Sequence, residues 1–233
     1  YAMSIGLKAA GLKLGESVLT NSFTLAPVPG SISNAGGTPI FVEITKDLVL
    51  DLEDLSKKAS ESEARFLLIS HMRGHLVDMD KLMQIVNENK LILIEDCAHT
   101  MGAKWKDQRS GNFGLAGCFS TQTYKHLNSG EGGLLTSNDE EFMARAIIYS
   151  GSYMLYERHG AAPSSEVFSN IRLETPNYSG RMDNLRAAIL RPQLKNLENN
   201  IIRWNERYQL VETELNEVIG IEVPVRFKEE RYV

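Results

Sequence analysis

Cysteine is scarce in this chain: two in 233 residues, Cys97 and Cys118. Two thiols cannot make the disulfide framework of a small secreted domain, and they suit a reducing cytoplasm. No apolar stretch approaches the ~18 residues that a membrane helix needs. Positive charge is not in excess. Lys and Arg number 25 against 30 Asp and Glu, a net charge of −5, so nothing favours nucleic acid or an anionic membrane surface as partner. Seven prolines and 18 glycines are too few for collagen or low-complexity sequence. An initiator methionine is also lacking. The chain opens Tyr1-Ala2-Met3, without a charged leader or a signal-type apolar run, and a longer gene product is expected. What is present is globular composition, 42% hydrophobic and 24% charged. A chain of this length buries about 70% of its unfolded surface.

Short apolar runs alternate with amphipathic ones. Residues 1–10 have helical spacing and stop at Gly11, a good helix C-cap. Strands are expected over 17–20, 39–44, 65–70 and 91–94. Asp51 and Asp78 are placed to cap helices running to about residues 59 and 89. All-apolar strands alternating with helices indicate a parallel sheet covered on both faces, an α/β architecture. Residues 102–136 are rich in glycine and hydroxyls, with short strands near 116–119 and 133–136. Asn138 is expected to cap a helix, with Glu141 completing a capping box. Residues 151–180 lack periodicity and read as a long loop. From Arg181 the pattern is helical for nearly forty residues, and Pro192 is expected to divide or kink it. Residues 223–233 read as a strand.

Asp96 closes the apolar run Leu91-Ile92-Leu93-Ile94, at the carboxyl end of a strand where α/β sheets bind ligands. It could simply cap the next turn. A Walker-type Mg²⁺ role fails, because no Gly-Lys pair occurs in the chain. Gly130-Glu131-Gly132-Gly133-Leu134-Leu135 fails as a dinucleotide fingerprint: it has leucine for the third glycine and runs into a strand. His71 and His75, with Cys97 and His99, lack the helical context that would give their spacing geometric meaning as zinc ligands. No metal site is expected, and the cysteines read as small core residues. Lys125 follows Phe119-Ser120-Thr121-Gln122-Thr123-Tyr124 and precedes the glycines. A lone lysine is usually a solvated one. An aldehyde cofactor with a phosphate and a pyridine ring, however, needs an amine, hydroxyls and a carboxylate. Lys125, Ser120 and Asp96 have those chemistries. A buried carboxylate favours a protonated ring nitrogen, and desolvation favours the free amine of a Schiff-base lysine.

The ordered set Glu95-Asp96-Cys97-Ala98-His99, Gly102-Ala103, Gly111, Cys118-Phe119-Ser120, Lys125 and Gly130-Glu131-Gly132-Gly133 resembles the DegT/DnrJ/StrS family of pyridoxal phosphate (PLP)-dependent sugar aminotransferases. Gly74-His75 before Asp78-Met79-Asp80, Ser22-Phe23-Thr24, Gly37-Thr38-Pro39-Ile40-Phe41-Val42, and Arg181-Met182 before Ala187-Ala188 extend the likeness over essentially the whole chain.

The resemblance implies a fold type I large domain, a mostly parallel sheet with helices on both faces. On this view residues 1–220 are the PLP-binding domain without its N-terminal phosphate-binding turn. Residues 221–233 begin a C-terminal small domain that is largely missing, and this piece alone is expected to bind PLP weakly. Lys125 would form the internal aldimine, Asp96 would pair with the pyridine nitrogen, His99 would lie against the ring and Ser120 would bind the phosphate. Asn177 is the candidate for reaching the phosphate of a neighbouring subunit, which implies a homodimer, although Ser179 stands where the family usually has that Asn. His126 stands where the family has Asn. Lys125 argues against the dehydratase branch, where a His takes its place. The implied reaction is a ping-pong transamination from an amino donor, glutamate, to a keto sugar, often nucleotide-linked, in the cytoplasm. A non-catalytic regulatory or binding member of the fold, or a PLP-dependent sugar lyase or dehydratase, stays open.

Overall fold

The computed structural model describes residues 1–151 and 153–231. Its helices are α1 (Ala2–Ala9), α2 (Pro27–Ala35), α3 (Leu52–Glu61), α4 (Met79–Glu88), α5 (Glu140–Ser150), α6 (Ser165–Glu174), α7 (Asn184–Lys195) and α8 (Leu197–Asn216). Its strands are β1 (Ser17–Asn21), β2 (Thr38–Val42), β3 (Phe66–Ser70), β4 (Ile92–Asp96), β5 (Lys104–Trp105), β6 (Gln108–Arg109), β7 (Ala116–Ser120), β8 (Gly133–Thr136) and β9 (Glu230–Arg231). The main sheet runs β2-β1-β3-β4-β7-β8. All its pairings are parallel except β7–β8 at one edge. The α/β architecture expected from the alternating runs is therefore the one observed.

Period-2 alternation explains the layering. Leu67 and Ile69 of β3, with Leu19 and Leu93, face α3 and α4 through Leu55, Met79 and Leu82. Phe66 and Leu68, with Val18 and Ile94, face α1 and α2 through Leu7, Val28 and Ile32. Both faces of the central strands are buried, which is why they read as solid apolar runs. The small sheet β6-β5-β9 is hydrogen-bonded separately from these strands, and Trp105 of β5 packs into the same core as Leu67 and Leu93.

The structure corrects several expectations. Asp139, not Asn138, caps α5, accepting from the Phe142 backbone N–H at 2.7 Å. That register puts Phe142 into the core against Ile5 and Ala116. The 151–180 loop contains α6, which the pattern missed because only Phe168 and Ile171 of its ten residues are buried, against α5. Helix α2 also went unread. Pro27 and Pro29 sit in its first turn, where no N–H is required, and Gly36 ends it in the left-handed region at φ 97°. Pro192 does not divide the C-terminal helices; α7 passes through it and the break comes at Asn196. Gln193 Nε2 donates back to Ile189 O, at 3.0 Å. Of the strand expected over 223–233, only β9 forms; Tyr232 and Val233 lie outside the described residues. No helix among the described residues is long and apolar enough to cross a membrane.

Candidate active site

Parallel pairing aligns the carboxyl ends of the strands. In register, Ser70 of β3 lies beside Asp96 of β4, and Asp96 lies beside Cys118 of β7. Strand order reverses between β1 and β3, and crevices at such reversals bind ligands. Asn21, last in β1, spans the reversal. Its amide accepts from Ser70 N at 2.8 Å and donates to Ser70 O at 2.9 Å. Ser70 Oγ in turn donates to Asp96 Oδ2 at 2.8 Å, and Ala98 N donates to Oδ1 at 3.2 Å. Asp96 is thus held by two donors while buried. Burial pushes its carboxyl up from the ordinary range, against the pull of those donors and of the Lys125 charge.

Lys125 lies in the loop after β7, which closes on itself. Thr121 N bonds Gly132 O, Thr123 N bonds Gly130 O, and the Thr121 and Ser129 hydroxyls meet at 3.0 Å. From outside, Gln193 of α7 grips the loop at both Asn128 backbone groups, at 2.9 and 2.7 Å. Leu127 packs with Met101, Leu190 and Leu197. The Lys125 amine makes no hydrogen bond or ion pair among the described residues, and burial lowers its pKa, opposed by Asp96 and assisted by Arg73. Next to it, His126 Nδ1 is buried and without a partner among the described residues.

His99 stands on the turn after β4. Its Nδ1 accepts from the Arg73 backbone N–H at 3.0 Å. Burial, with the Lys125 and Arg73 charges, pushes its pKa down to about 4, so the ring is neutral near pH 7. The accepting Nδ1 puts the proton on Nε2. Ser120 ends β7, and its Oγ accepts from Gln122 N at 3.3 Å. These four residues therefore share the carboxyl edge of the sheet or the turns that leave it. Asn177 lies elsewhere, in the exposed segment before α7, where its Oδ1 accepts from Ser179 N at 2.9 Å.

The preceding carboxylate, Glu95, points to the other side. It is fully buried and bonds His71 Nε2 at 3.1 Å and the backbone N–H groups of Gly111, Phe113 and Gly114 at 2.8, 2.8 and 3.1 Å. Burial pushes it up, but His71 and those N–H groups reverse this and hold it below the ordinary range. His71, Glu95 and Cys97 bring their ligand atoms within 4.8 Å of one another, with Glu95 already engaged by the loop. His75 and His99 stand outside that group. Both cysteines are buried, and burial raises both thiols.

Sequence reasoning missed Asn21, Ser70, Arg73 and Gln193. Ser70 carried a signal: a polar residue closing a five-residue buried strand, beside the one that ends in Asp96. Gln193 carried none, since its partner is 65 residues away.

The model of the DegT/DnrJ/EryC1/StrS aminotransferase family matches residues 1–232. The "Pleiotropic regulatory protein" of Geobacillus stearothermophilus is 31% identical, over 88% of this chain and 51% of its own length. The GDP-perosamine synthase of Escherichia coli O157:H7 is 27% identical, over 94% of this chain and 57% of its own length. Among solved structures, S. venezuelae DesV in complex with a ketimine intermediate matches with a TM-score of 0.79 and 27% identity, over 99% of this chain and 59% of its own. The chain thus spans little more than half the length of the relatives it matches.

Proposed function

Because this chain belongs to the DegT/DnrJ/EryC1/StrS aminotransferase family, we propose that the complete protein is a PLP-dependent aminotransferase, moving an amino group from glutamate to a nucleotide-linked keto sugar. The observation that carries this reading is the juxtaposition of Asp96, buried and held by Ser70, with the Lys125 amine, which has no hydrogen-bond partner among the described residues and whose charge Asp96 feels.

The donor set fits the cofactor. The Asp96 carboxylate has its orientation set by two donors and would stand against a ring nitrogen. A cation there would pull its raised pKa back down, so carboxylate and ring proton support each other. The neutral face of His99 would cover the ring. The Ser120 hydroxyl, at the strand end, would hold the phosphate. PLP supplies an electron sink for the bond-breaking at the substrate carbon. With its lowered pKa, the Lys125 amine would be the general base that takes the proton from that carbon and hands it on to the cofactor's aldehyde carbon. The reading extends to a homodimer in which Asn177 of one subunit reaches the phosphate in the other, and to a cytoplasmic protein.

The test supplies the PLP-loaded protein with glutamate and a panel of nucleotide-linked keto sugars. Release of 2-oxoglutarate with an aminated sugar product supports the proposal, whereas a product that has lost water instead points to a dehydratase. A non-catalytic regulatory role is the second reading, favoured by the name of the Geobacillus relative. Loaded protein that releases no 2-oxoglutarate with any acceptor favours it.

A further inference from the structure

Residues 72–76 form a turn beside the proposed site that is not relaxed on its own. Arg73 stands at φ 57°, ψ 21°, inside a 3-10 turn over Met72–Gly74, and Gly74 follows at φ 82°. A left-handed non-glycine residue of this kind is strained and persists only where its surroundings impose it. Within the turn, Gly74 N to His71 O and His75 N to Met72 O close it, each at 3.2 Å.

The turn is held from about 150 residues away. Glu230, at the start of β9, has a side chain with 0% exposure. Its Oε1 accepts from Leu76 N at 2.8 Å and from Arg226 Nη1 at 2.9 Å. Arg226 Nη1 also donates to Gly74 O at 3.2 Å, and its guanidinium lies over the Tyr208 ring at 4.7 Å. The segment is anchored by β9 pairing with β5, by Lys106 N on Glu229 O at 2.6 Å and by Phe227 edge-on to Trp105 at 5.4 Å. Carboxylate and guanidinium together grip the turn at Gly74 and Leu76. Towards the site the turn presents the Arg73 charge and, in direct contact, the Arg73 backbone N–H on His99 Nδ1.

We infer that Glu230 is a positioning residue for His99: through the 72–76 turn it presents the Arg73 N–H that fixes the tautomer and orientation of the ring. The inference uses the placing of His99 in the proposed site but not any turnover, so it can fail while the aminotransferase reading stands, and the reverse.

The test is ¹⁵N NMR of the histidine rings in the protein without cofactor, with the His99 signal assigned by its loss in His99→Gln. In the parent, Nδ1 is the unprotonated, accepting nitrogen, and the ring stays neutral down to about pH 4. Lys125 and Arg73 are the charged groups facing the ring; Glu230→Ala leaves Lys125 in place, and release of Arg73 with the turn moves the His99 pKa in the same upward direction, because its charge lowers that pKa. Freed from the turn and open to water, the ring in Glu230→Ala is expected to mix tautomers and to titrate closer to the ordinary 6.5. Glu230→Gln keeps an oxygen for Leu76 N and is expected to restore the parent tautomer. If Glu230→Ala fails to fold, Arg226→Lys withdraws the bond to Gly74 O while leaving a cation for Glu230, and is expected to move the signal in the same direction. A folded Glu230→Ala or Arg226→Lys protein with the parent His99 spectrum and titration overturns the inference, even if its thermal stability is lower.

Discussion

Replacing Glu95 by alanine should be among the most destabilising single changes in this chain. The carboxylate makes four hydrogen bonds, to His71 and to the N–H groups of Gly111, Phe113 and Gly114. Bonds to a charged group contribute about 1.5–3 kcal/mol each, or roughly 6–12 gross. Desolvating the carboxylate takes back several kcal/mol, and removing one partner of a buried pair costs about 3–5 kcal/mol net. In a domain of this size that is roughly 6–20 °C in Tm. The loop cannot relax easily around the loss. A Cβ on Gly114 would lie 2.3 Å from Leu93 O, and one on Gly117 would lie 2.6 Å from Gly111 Cα, so these backbones are already in contact. The effect also has a pH signature. Glu95 titrates below its ordinary 4.5 in the folded chain. Its contribution is therefore full above pH 4.5 and is lost as pH falls through the folded value. Glu95→Gln keeps the volume but turns an amide N–H₂ towards backbone donors, so it should lose stability at pH 7 and approach the parent below pH 4.5. Urea denaturation of both variants at pH 7 and at pH 4 reads this. A Glu95→Ala loss below about 1 kcal/mol at pH 7, or a Glu95→Gln deficit that does not shrink in acid, refutes the reasoning.

Phe168→Ala should detach α6, since Phe168 is its main anchor to α5 and stacks on Tyr156 with ring centroids 4.2 Å apart. The expected cost is about 3–5 kcal/mol, with backbone amide exchange accelerated across 165–174 ahead of the central strands. The lowered pKa of Lys125 predicts that its acetylation by an amine-selective reagent rises at lower pH than that of a free lysine side chain in a reference peptide, as read by peptide mass mapping. In Asp96→Asn, which removes the charge that opposes that lowering, the profile should move further down in pH.

The parts of the fold legible in the sequence are those where burial on both faces leaves a continuous apolar run, as in β3 and β4. Capping carboxylates were equally readable, because Asp51 and Asp78 act on N–H groups two or three residues away. Helix α6 hid because two buried residues make too weak a period, and α2 because its prolines look like breakers until they fall in the first turn. The site divides along the same line. Asp96, His99, Ser120 and Lys125 lie within thirty residues and keep a recognisable order. Ser70, Asn21 and Glu230 act across 26, 49 and 154 residues, distances that only the folded sheet closes. Glu95 was visible only as the neighbour of Asp96. That an acid inside an apolar strand must point to one face and find partners there was the unused clue.

The central claim is that Lys125 is the amine that holds PLP. The direct measurement is to load the complete protein with PLP, reduce it with borohydride, digest it and locate the pyridoxyl mass by peptide sequencing. The expected label is on Lys125, with none on Lys125→Ala treated in the same way. Label on a different lysine, or none on the loaded parent protein, contradicts it.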